Sequence, residues 1–576
     1  MKEMKEMEIM KIMKIMRMGA ILLFLGGVGS LSAQNASVQR ELTLEKEYAP
    51  SVQDASKINS LPEVKEPEPT KAAIEYIDFS TPYDVRLAIF PLHPGKYFTD
   101  LQSSKKRGYL NVGAGTFINL NVDAGYQLVN SPSDKLSLFY SNRFSDGNVN
   151  YLQHDTTGIM KINDNVGGFS YLHNFNSCKL YADARYTYSE FNYYGNGWDK
   201  SFSTDGRSSQ ANNIADVRAG LASRNEKEWH YLLDFNYSYF QQKYLYYFNN
   251  PGLKENYFKA KLDVGKNFSG TQWIGLGGYV RTMFYDTDDL NHINVALNPY
   301  YKIDDGTWAL KLGAWVHFLF NYEDNMAFSP DVEFIVHPTE KMALYLQATG
   351  ELKDNSKKPV FYENRYTLPS CRIKDSNTML DAVAGFKSSV IPNFWFDFFA
   401  GYRITKDEHF YRQTQESTVF YDSLGVNFSE PDYVNAKVFK AGTHLKYQWR
   451  NQFEAGLKAV YYHYTLDGDE LDGGPRTFGA WNKPQFEADF QLGYSFPFPL
   501  RIDLAYHLET GREQLISDQV VSMDDVYELN LQGTYSISDS FSFYIKANNL
   551  LFQRYDLWYG YPAQGFNAML GISIKF

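Results

Sequence analysis

Residue types able to do chemistry are sparse along this chain of 576 residues. Its 11 histidines are scattered. None pair at the i, i+4 spacing that aims two rings from one helix face, and no HExxH or G-x-S-x-G occurs. Asp467-Gly-Asp-Glu-Leu-Asp472 crowds four carboxylates together, but Leu471 breaks the alternating oxygen ligands of a calcium loop. It reads as a solvated acidic turn. Two cysteines, Cys178 and Cys371, supply neither a disulfide framework nor a zinc site. No catalytic residue, metal ligand or cofactor site is expected. One set of charges is nonetheless ordered. Asp123, Asp183, Arg185, Glu487, Asp489, Arg501, Asp503 and Lys546 all sit in segments where polar and apolar residues alternate. Such alternation places them together on one face of a sheet.

The composition says what kind of sheet this is. Mean hydropathy is −0.43 and no apolar run reaches the about 20 residues of a membrane helix. Yet 45 Tyr, 42 Phe and 9 Trp make the chain far too aromatic for disorder. A net charge of −11 argues against nucleic acid as a partner. A large all-β protein fits these values.

Three regions follow from the pattern. Residues 1–33 read as a signal peptide: Lys11, Lys14 and Arg17 precede an apolar run over 19–28, with a cut after Ala33. Residues 34–104 hold seven of the 21 prolines, among them the run Glu63-Val-Lys-Glu-Pro-Glu-Pro-Thr70. Proline removes ladder and helix hydrogen bonds, so this is an extended periplasmic segment with two apolar clusters, 74–79 and 85–90. From 105 to 576, stretches of about ten alternating residues are separated by turns. In Leu120-Asn-Val-Asp-Ala-Gly-Tyr-Gln-Leu128 the apolar set Leu120, Val122, Ala124, Tyr126 and Leu128 faces away from Asn121, Asp123 and Gln127.

Twenty-two such strands can be counted. They begin near residues 107, 120, 135, 159, 179, 214, 229, 255, 273, 292, 308, 327, 342, 379, 394, 433, 453, 484, 501, 525, 541 and 566. Links after even strands are tight; links after odd strands are mostly long, including 195–213, 353–377, 405–432 and 466–483. Short turns on one side, long loops on the other and an even count predict an antiparallel transmembrane β-barrel of the outer membrane. That topology puts Cys178 and Cys371 at opposite ends of a band about 25 Å tall, so they are not expected to bond. Tyr-rich stretches such as Phe191-Asn-Tyr-Tyr-Gly-Asn-Gly-Trp198 are placed at the outer rim, as tyrosine-coated hairpins standing above the bilayer, with sugar binding as the alternative. The last strand carries Phe566, Ala568, Leu570, Ile572, Ile574 and Phe576 on one face. An apolar strand ending on a terminal aromatic resembles the closing signal read by the barrel-assembly machinery.

The final 36 residues carry a further resemblance. Asn548-Asn549-Leu550-Leu551-Phe552, then Tyr555, a Gly560-Tyr561-Pro562 tip and the terminal strand resemble the closing hairpin of TonB-dependent outer-membrane receptors. The resemblance implies a 22-stranded barrel and a solute or nutrient transporter or channel. It also implies a globular plug, which the sequence does not show, and a TonB-pairing strand, for which Arg40-Glu-Leu-Thr-Leu-Glu45 is the one candidate. The alternative function is a plug-less barrel serving as a structural or assembly platform. Outer-membrane lipid is an expected partner in either case, and residues 34–104 could bind periplasmic or surface proteins. A barrel of this width needs an occluder. The candidates are residues 34–104, especially 74–104, at the periplasmic mouth; the long links 353–377 and 405–432 folded inward; or a separate protein. The first is the expectation.

Overall fold

The computed structural model describes residues 106–576, apart from 154, 196–208, 225–227, 245–251, 287–290, 414–427, 451, 468–477 and 517–518. The readings of residues 1–33, 34–104 and 40–45, and most of the acidic turn at 467–472, therefore lie outside the described residues.

Alternating sequence becomes strand throughout. The first run is β1 (Gly108–Gly115), β2 (Leu120–Asn130), β3 (Asp134–Asn150), β4 (Thr157–Asn174), β5 (Cys178–Asn192), β6 (Ser209–Ser223) and β7 (Trp229–Gln242). Next come β8 (Lys254–Asn267), β9 (Gln272–Tyr285), β10 (His292–Asp304), β11 (Trp308–Phe320), β12 (Met326–Thr339) and β13 (Met342–Lys353). A short helix, α1 (Lys357–Glu363), interrupts the series. Then follow β14 (Ser376–Ser388), β15 (Phe394–Gln413), β16 (Ser429–Trp449), β17 (Phe453–Asp467), β18 (Phe486–Ser495) and β19 (Leu500–Thr510). A hairpin of β20 (Glu513–Ile516) and β21 (Gln519–Ser522) precedes β22 (Val526–Ser538) and β23 (Phe541–Asn548). A second hairpin, β24 (Asp556–Trp558) and β25 (Tyr561–Pro562), precedes the last strand, β26 (Asn567–Lys575).

Twenty-two of these strands form one antiparallel sheet, and the two small hairpins stand outside it. The sheet closes because β1 pairs with β26, from Tyr109↔Lys575 to Gly115↔Met569. Closure leaves no strand edge unpaired, the condition for a sheet to stand in lipid. No helix among the described residues is long and apolar enough to cross a membrane. The tight links fall where the sequence places them, and long links gather at the opposite end. Wall height varies widely: β1 and β23 have 8 residues and β26 has 9, whereas β15 and β16 have 20 and 21.

The two faces of the wall differ as the period-2 pattern requires. Outward positions expose Leu276, Leu312, Leu346, Phe398 and Ile545. In a water-soluble protein such a surface would aggregate; in lipid it is the favourable one. Inward positions carry the charges. Arg185 meets Asp216 at 3.1 Å, His507 meets Asp489 at 2.7 Å, and Lys458 meets Glu487 at 3.3 Å. Arg501 binds Asp503 at 2.7 Å and also Glu454. The inward faces also absorb part of the tyrosine surplus. Tyr544 lies across Gly571, and Tyr345 across Gly385, so close that a Cβ on either glycine would collide with the ring. A strand glycine has no side chain of its own to pack, and the neighbouring ring covers it.

Candidate functional site

The link between β13 and β14 does not stand in solvent. Residues 354–375 turn inward and cross the lumen. At its neck, Asn355 donates to Ser376 Oγ at 2.6 Å and to the Lys374 carbonyl at 3.0 Å. Asp375 pairs with Arg281 of β9, and Tyr322 donates to the same carboxylate at 2.9 Å. Helix α1 follows. Its start tolerates Pro359 because the first-turn N–H groups have no helical partner. One of those groups, Lys357 N–H, is met by a wall carboxylate, Glu255 Oε2 of β8, at 2.7 Å. Asn364 ends the helix, its N–H returning to the Val360 carbonyl at 2.8 Å. The buried Lys357 ammonium donates to the carbonyls of Pro369 and Cys371 and so ties the descending chain to the helix start.

Three cationic or anionic arms fix this cap to opposite parts of the wall. Lys358 binds Asp216 of β6, and also Ser238 of β7 at 2.8 Å. Arg365 binds Asp164 of β4 at 3.0 Å, and Ser189 of β5 donates to that carboxylate at 2.5 Å. On the far side, Glu363 meets His409 of β15 at 2.6 Å and Lys483 at 2.7 Å. Burial raises the Glu363 carboxyl, but Lys483 and His409 outweigh it and hold the group well below the usual carboxylate range.

Between these arms lies an aromatic core. Phe361, Tyr366, Leu368 and Cys371 of the cap pack on Met160, Phe191, Tyr193, Tyr194, Ile214 and Phe240 of the wall and its rim, on Phe428, and on Tyr561. Tyr366 stacks on Tyr561 with ring centroids 4.0 Å apart, and Tyr194 meets both rings edge-on. This corrects the rim reading: Phe191, Tyr193 and Tyr194 are buried under the cap, not spread as a solvated hairpin. Tyr561 reaches the cap on the β24–β25 hairpin, where Asp556 accepts from Gln153 and from Gly560 N–H, both at 2.7 Å. Burial pushes the Asp556 carboxyl up to about 6, against these hydrogen bonds and Arg512.

Beside α1 the lumen keeps a chamber of about 630 Å³, bounded by the cap, by β2–β4 and by β19, β22–β24 and β26. Amides (Asn119, Asn121, Asn530, Gln532, Asn548, Gln564) and aromatic rings (Tyr362, Tyr555, Trp558) line it, together with the inward Asp503 and Lys546. The volume lies within the roughly 300–1,000 Å³ of small-molecule sites.

The residues singled out in the sequence divide between wall and chamber. Leu570 and Phe576 are exposed on the outward face, 66% and 57%, and Ile572 and Ile574 share it. Phe566 stacks on Phe552 outside the barrel. Asn549 is buried; its Nδ2 donates to the Gln553 carbonyl at 2.7 Å and its Oδ1 accepts from Gln553 N–H at 3.0 Å. Leu550 N–H binds the Leu529 carbonyl, and Tyr555 donates to Glu528 at 2.5 Å. Both cysteines are free, Cys371 buried in the cap. No group of three or more His, Cys, Asp or Glu able to hold a metal occurs among the described residues. Sequence reasoning named the 353–377 link, with 405–432, among the alternatives to residues 34–104, which lie outside the described residues, and it missed α1. The available signal was Val360-Phe-Tyr and Tyr366 in a loop supposed to face water.

The fold defined by these elements is that of the TonB-dependent receptor barrel. The ferric enterobactin receptor of Pseudomonas aeruginosa in complex with enterobactin superposes with a TM-score of 0.60 at 10% identity, covering 83% of this chain and 82% of that one. The FrpB iron transporter of Neisseria meningitidis gives 0.61 at 11% identity, covering 82% of each chain. The ferripyoverdine receptor of the outer membrane of P. aeruginosa gives 0.57 at 13%, covering 83% and 72%. No family model and no curated protein matches the sequence.

Proposed function

We propose that the chain is an outer-membrane barrel of receptor type that admits a polar solute, with access governed by the inward-folded link 354–375. The reading joins three predictions from sequence: a signal peptide at 1–33, a periplasmic segment at 34–104 and a barrel over 105–576, with short turns in the periplasm and long links outside. Outer-membrane lipid and the barrel-assembly machinery are its partners, the latter reading β26. The observation that carries it is the chamber of about 630 Å³, lined by amides and rings and closed from above by a cap built from the wall's own chain. No step of the reading requires catalysis.

The same cap favours a second reading, a barrel kept shut as a platform for other proteins. The cap is anchored at both ends in β13 and β14 and tied at Asp216, Asp164 and His409. Swelling of liposomes in isotonic sugar and amino-acid solutions separates the two. A variant with 355–374 replaced by a short Gly-Ser bridge should swell at least tenfold faster than the full chain, and the full chain should still swell slowly in small polar solutes. A full chain tight to every solute, with the bridged variant freely permeable, would make the platform the better reading.

A further inference from the structure

The wall is lowest at its seam. β1, β23 and β26 have 8, 8 and 9 residues, against roughly 9–11 for a strand that crosses hydrocarbon. Two links complete the wall above them, residues 116–119 and 549–566, the second carrying the β24–β25 hairpin. Their outward side is apolar: Ile118 is 67% exposed and Phe552 69%, with Leu551 beside it and Phe566 stacked on Phe552 at 4.9 Å. Their inward side lines the chamber through Asn119, Asn549 and Gln564. An amide clasp joins the two links. Asn119 Nδ2 donates to Gln564 Oε1 at 3.1 Å, and Gln564 Nε2 donates to Ser145 Oγ of β3 at 2.6 Å. Ile118 directly precedes Asn119, and Phe566 lies two residues past Gln564. Each link therefore turns an apolar residue to the bilayer and an amide to the chamber.

We propose that this is a lateral entrance, and that the chamber takes the head of a membrane lipid whose acyl chains stay on the Ile118–Phe552 patch. This rests on the reading of the lumen as a binding compartment in an outer-membrane barrel. Ile118 and Phe552 are among the most exposed large apolar side chains of the described residues, and they stand where the strands are shortest. A lipid matches both surfaces at once. The lining also selects the head. Arg143, Arg365 and Lys546 face Asp164, Glu363, Asp503 and Glu528, so the two signs nearly cancel, and the amides both donate and accept. A head without large net charge, zwitterionic or rich in hydroxyl and amide groups, fits this wall. Opening parts the side-chain clasp and, beside it, the main-chain bonds by which Thr116 N–H meets the Ala568 carbonyl at 2.9 Å and Asp146 N–H meets the Phe117 carbonyl at 3.0 Å.

The test uses the full chain in phosphatidylethanolamine–phosphatidylglycerol vesicles containing phosphatidylethanolamine with a photoactivatable diazirine on its head. Adducts are mapped by mass spectrometry. Label is expected on chamber residues such as Asn121 and Gln532 as well as on the outer wall. The double variant Asn119→Ala/Gln564→Ala should raise chamber labelling several-fold. Asn119→Cys/Gln564→Cys, bridged by a short reducible thiol linker, should abolish it, and reduction should restore it. Heat-modifiable gel migration shows that each variant still folds. Label confined to the outer wall, or chamber label indifferent to the linker, overturns the proposal. So does equal chamber labelling by the water-soluble head alone, glycerophosphoethanolamine with the same diazirine. A negative result here beside normal liposome swelling removes the lateral entrance and leaves solute transport standing.

Discussion

The wall and the cap of this barrel are held by different physics. The wall is a continuous main-chain ladder, in which each strand's hydrogen bonds go to its two neighbours and the side chains only choose a face. The cap has almost no regular structure: α1 is seven residues long and the rest of 354–375 is irregular. Side chains hold most of it, through the arms at Lys358, Glu363 and Arg365 and the stack of Tyr366 on Tyr561, and its main chain meets the wall at one bridge, Leu368 N–H to the Ser429 carbonyl at 2.8 Å and Ser429 N–H to the Tyr366 carbonyl at 3.2 Å. A ladder is cooperative around the whole ring. Arms and rings can be released one region at a time, and local opening of this kind is the usual property of gates. The difference implies that the cap can open while the wall remains folded.

Arg365→Ala is the largest single change expected to act on the cap alone. It removes the partner of Asp164 where both side chains are over 90% buried, and it takes the guanidinium from beside the Phe191 and Phe361 rings. Breaking a buried pair from one side costs about 3–5 kcal/mol. That loss should appear as reduced hydrogen-exchange protection over 357–366, with the heat-induced unfolding of the barrel unmoved. Adding Asp164→Asn should return much of the protection, since Ser189 can still serve the amide. If the barrel's unfolding temperature falls with Arg365→Ala, cap and wall are one cooperative unit and the comparison fails.

The converse change acts on the wall. Leu570 lies on the outward face of β26, 66% exposed, opposite Ile545 in the middle of the β23–β26 ladder. A lysine there places an ammonium in hydrocarbon, at a cost of about 2–4 kcal/mol near the bilayer midplane. Refolding into vesicles, followed by denaturant titration, should show that loss for Leu570→Lys and a much smaller one for Ser573→Lys on the inward face. Protection over 357–366 should stay unchanged in both.

This division also explains what could be read from the sequence. The strands were legible because a wall between lipid and water imposes strict alternation. Leu120 to Leu128 shows it, and the strand starts inferred from it lie within about five residues of those observed. The lumenal role of Asp183, Arg185, Asp489 and Arg501 followed from the same alternation. The cap was not legible because nothing periodic marks it. Its anchors come from positions far apart in the chain, Glu255 for the helix start and Asp164 for Arg365, and only the closed barrel brings them together. Pro359 stands within the first turn of α1, where a proline is tolerated but gives no sign of a helix. The Tyr-rich rim was misread for a related reason. A tyrosine coat and a tyrosine core look alike until the chain that covers Tyr193 and Tyr194 is known.

The smallest effect expected is also the one that tests the cap's inner organisation, because its two halves should respond to pH in opposite directions. Asp556 titrates near 6 in the folded hairpin, above its ordinary 3.8. Between those values the closed hairpin holds a proton that the opened one has lost. Its contribution is therefore complete below about 4, shrinks as pH rises to 6, and is flat beyond. Glu363 runs the other way. Its folded carboxyl lies well below the ordinary 4.5, so Lys483 and His409 stabilise the closed cap fully above that value. The benefit is lost as pH falls through the folded group's own titration. Hydrogen-exchange protection factors, corrected for intrinsic rates, should thus fall over 556–562 between pH 4 and 6. Over 357–366 they should rise from acid to pH 4.5 and then hold. Asp556→Asn should flatten the first profile only, and Glu363→Gln the second only. Parallel profiles in the two segments would mean that the stack of Tyr366 on Tyr561 fuses hairpin and cap into a single opening unit.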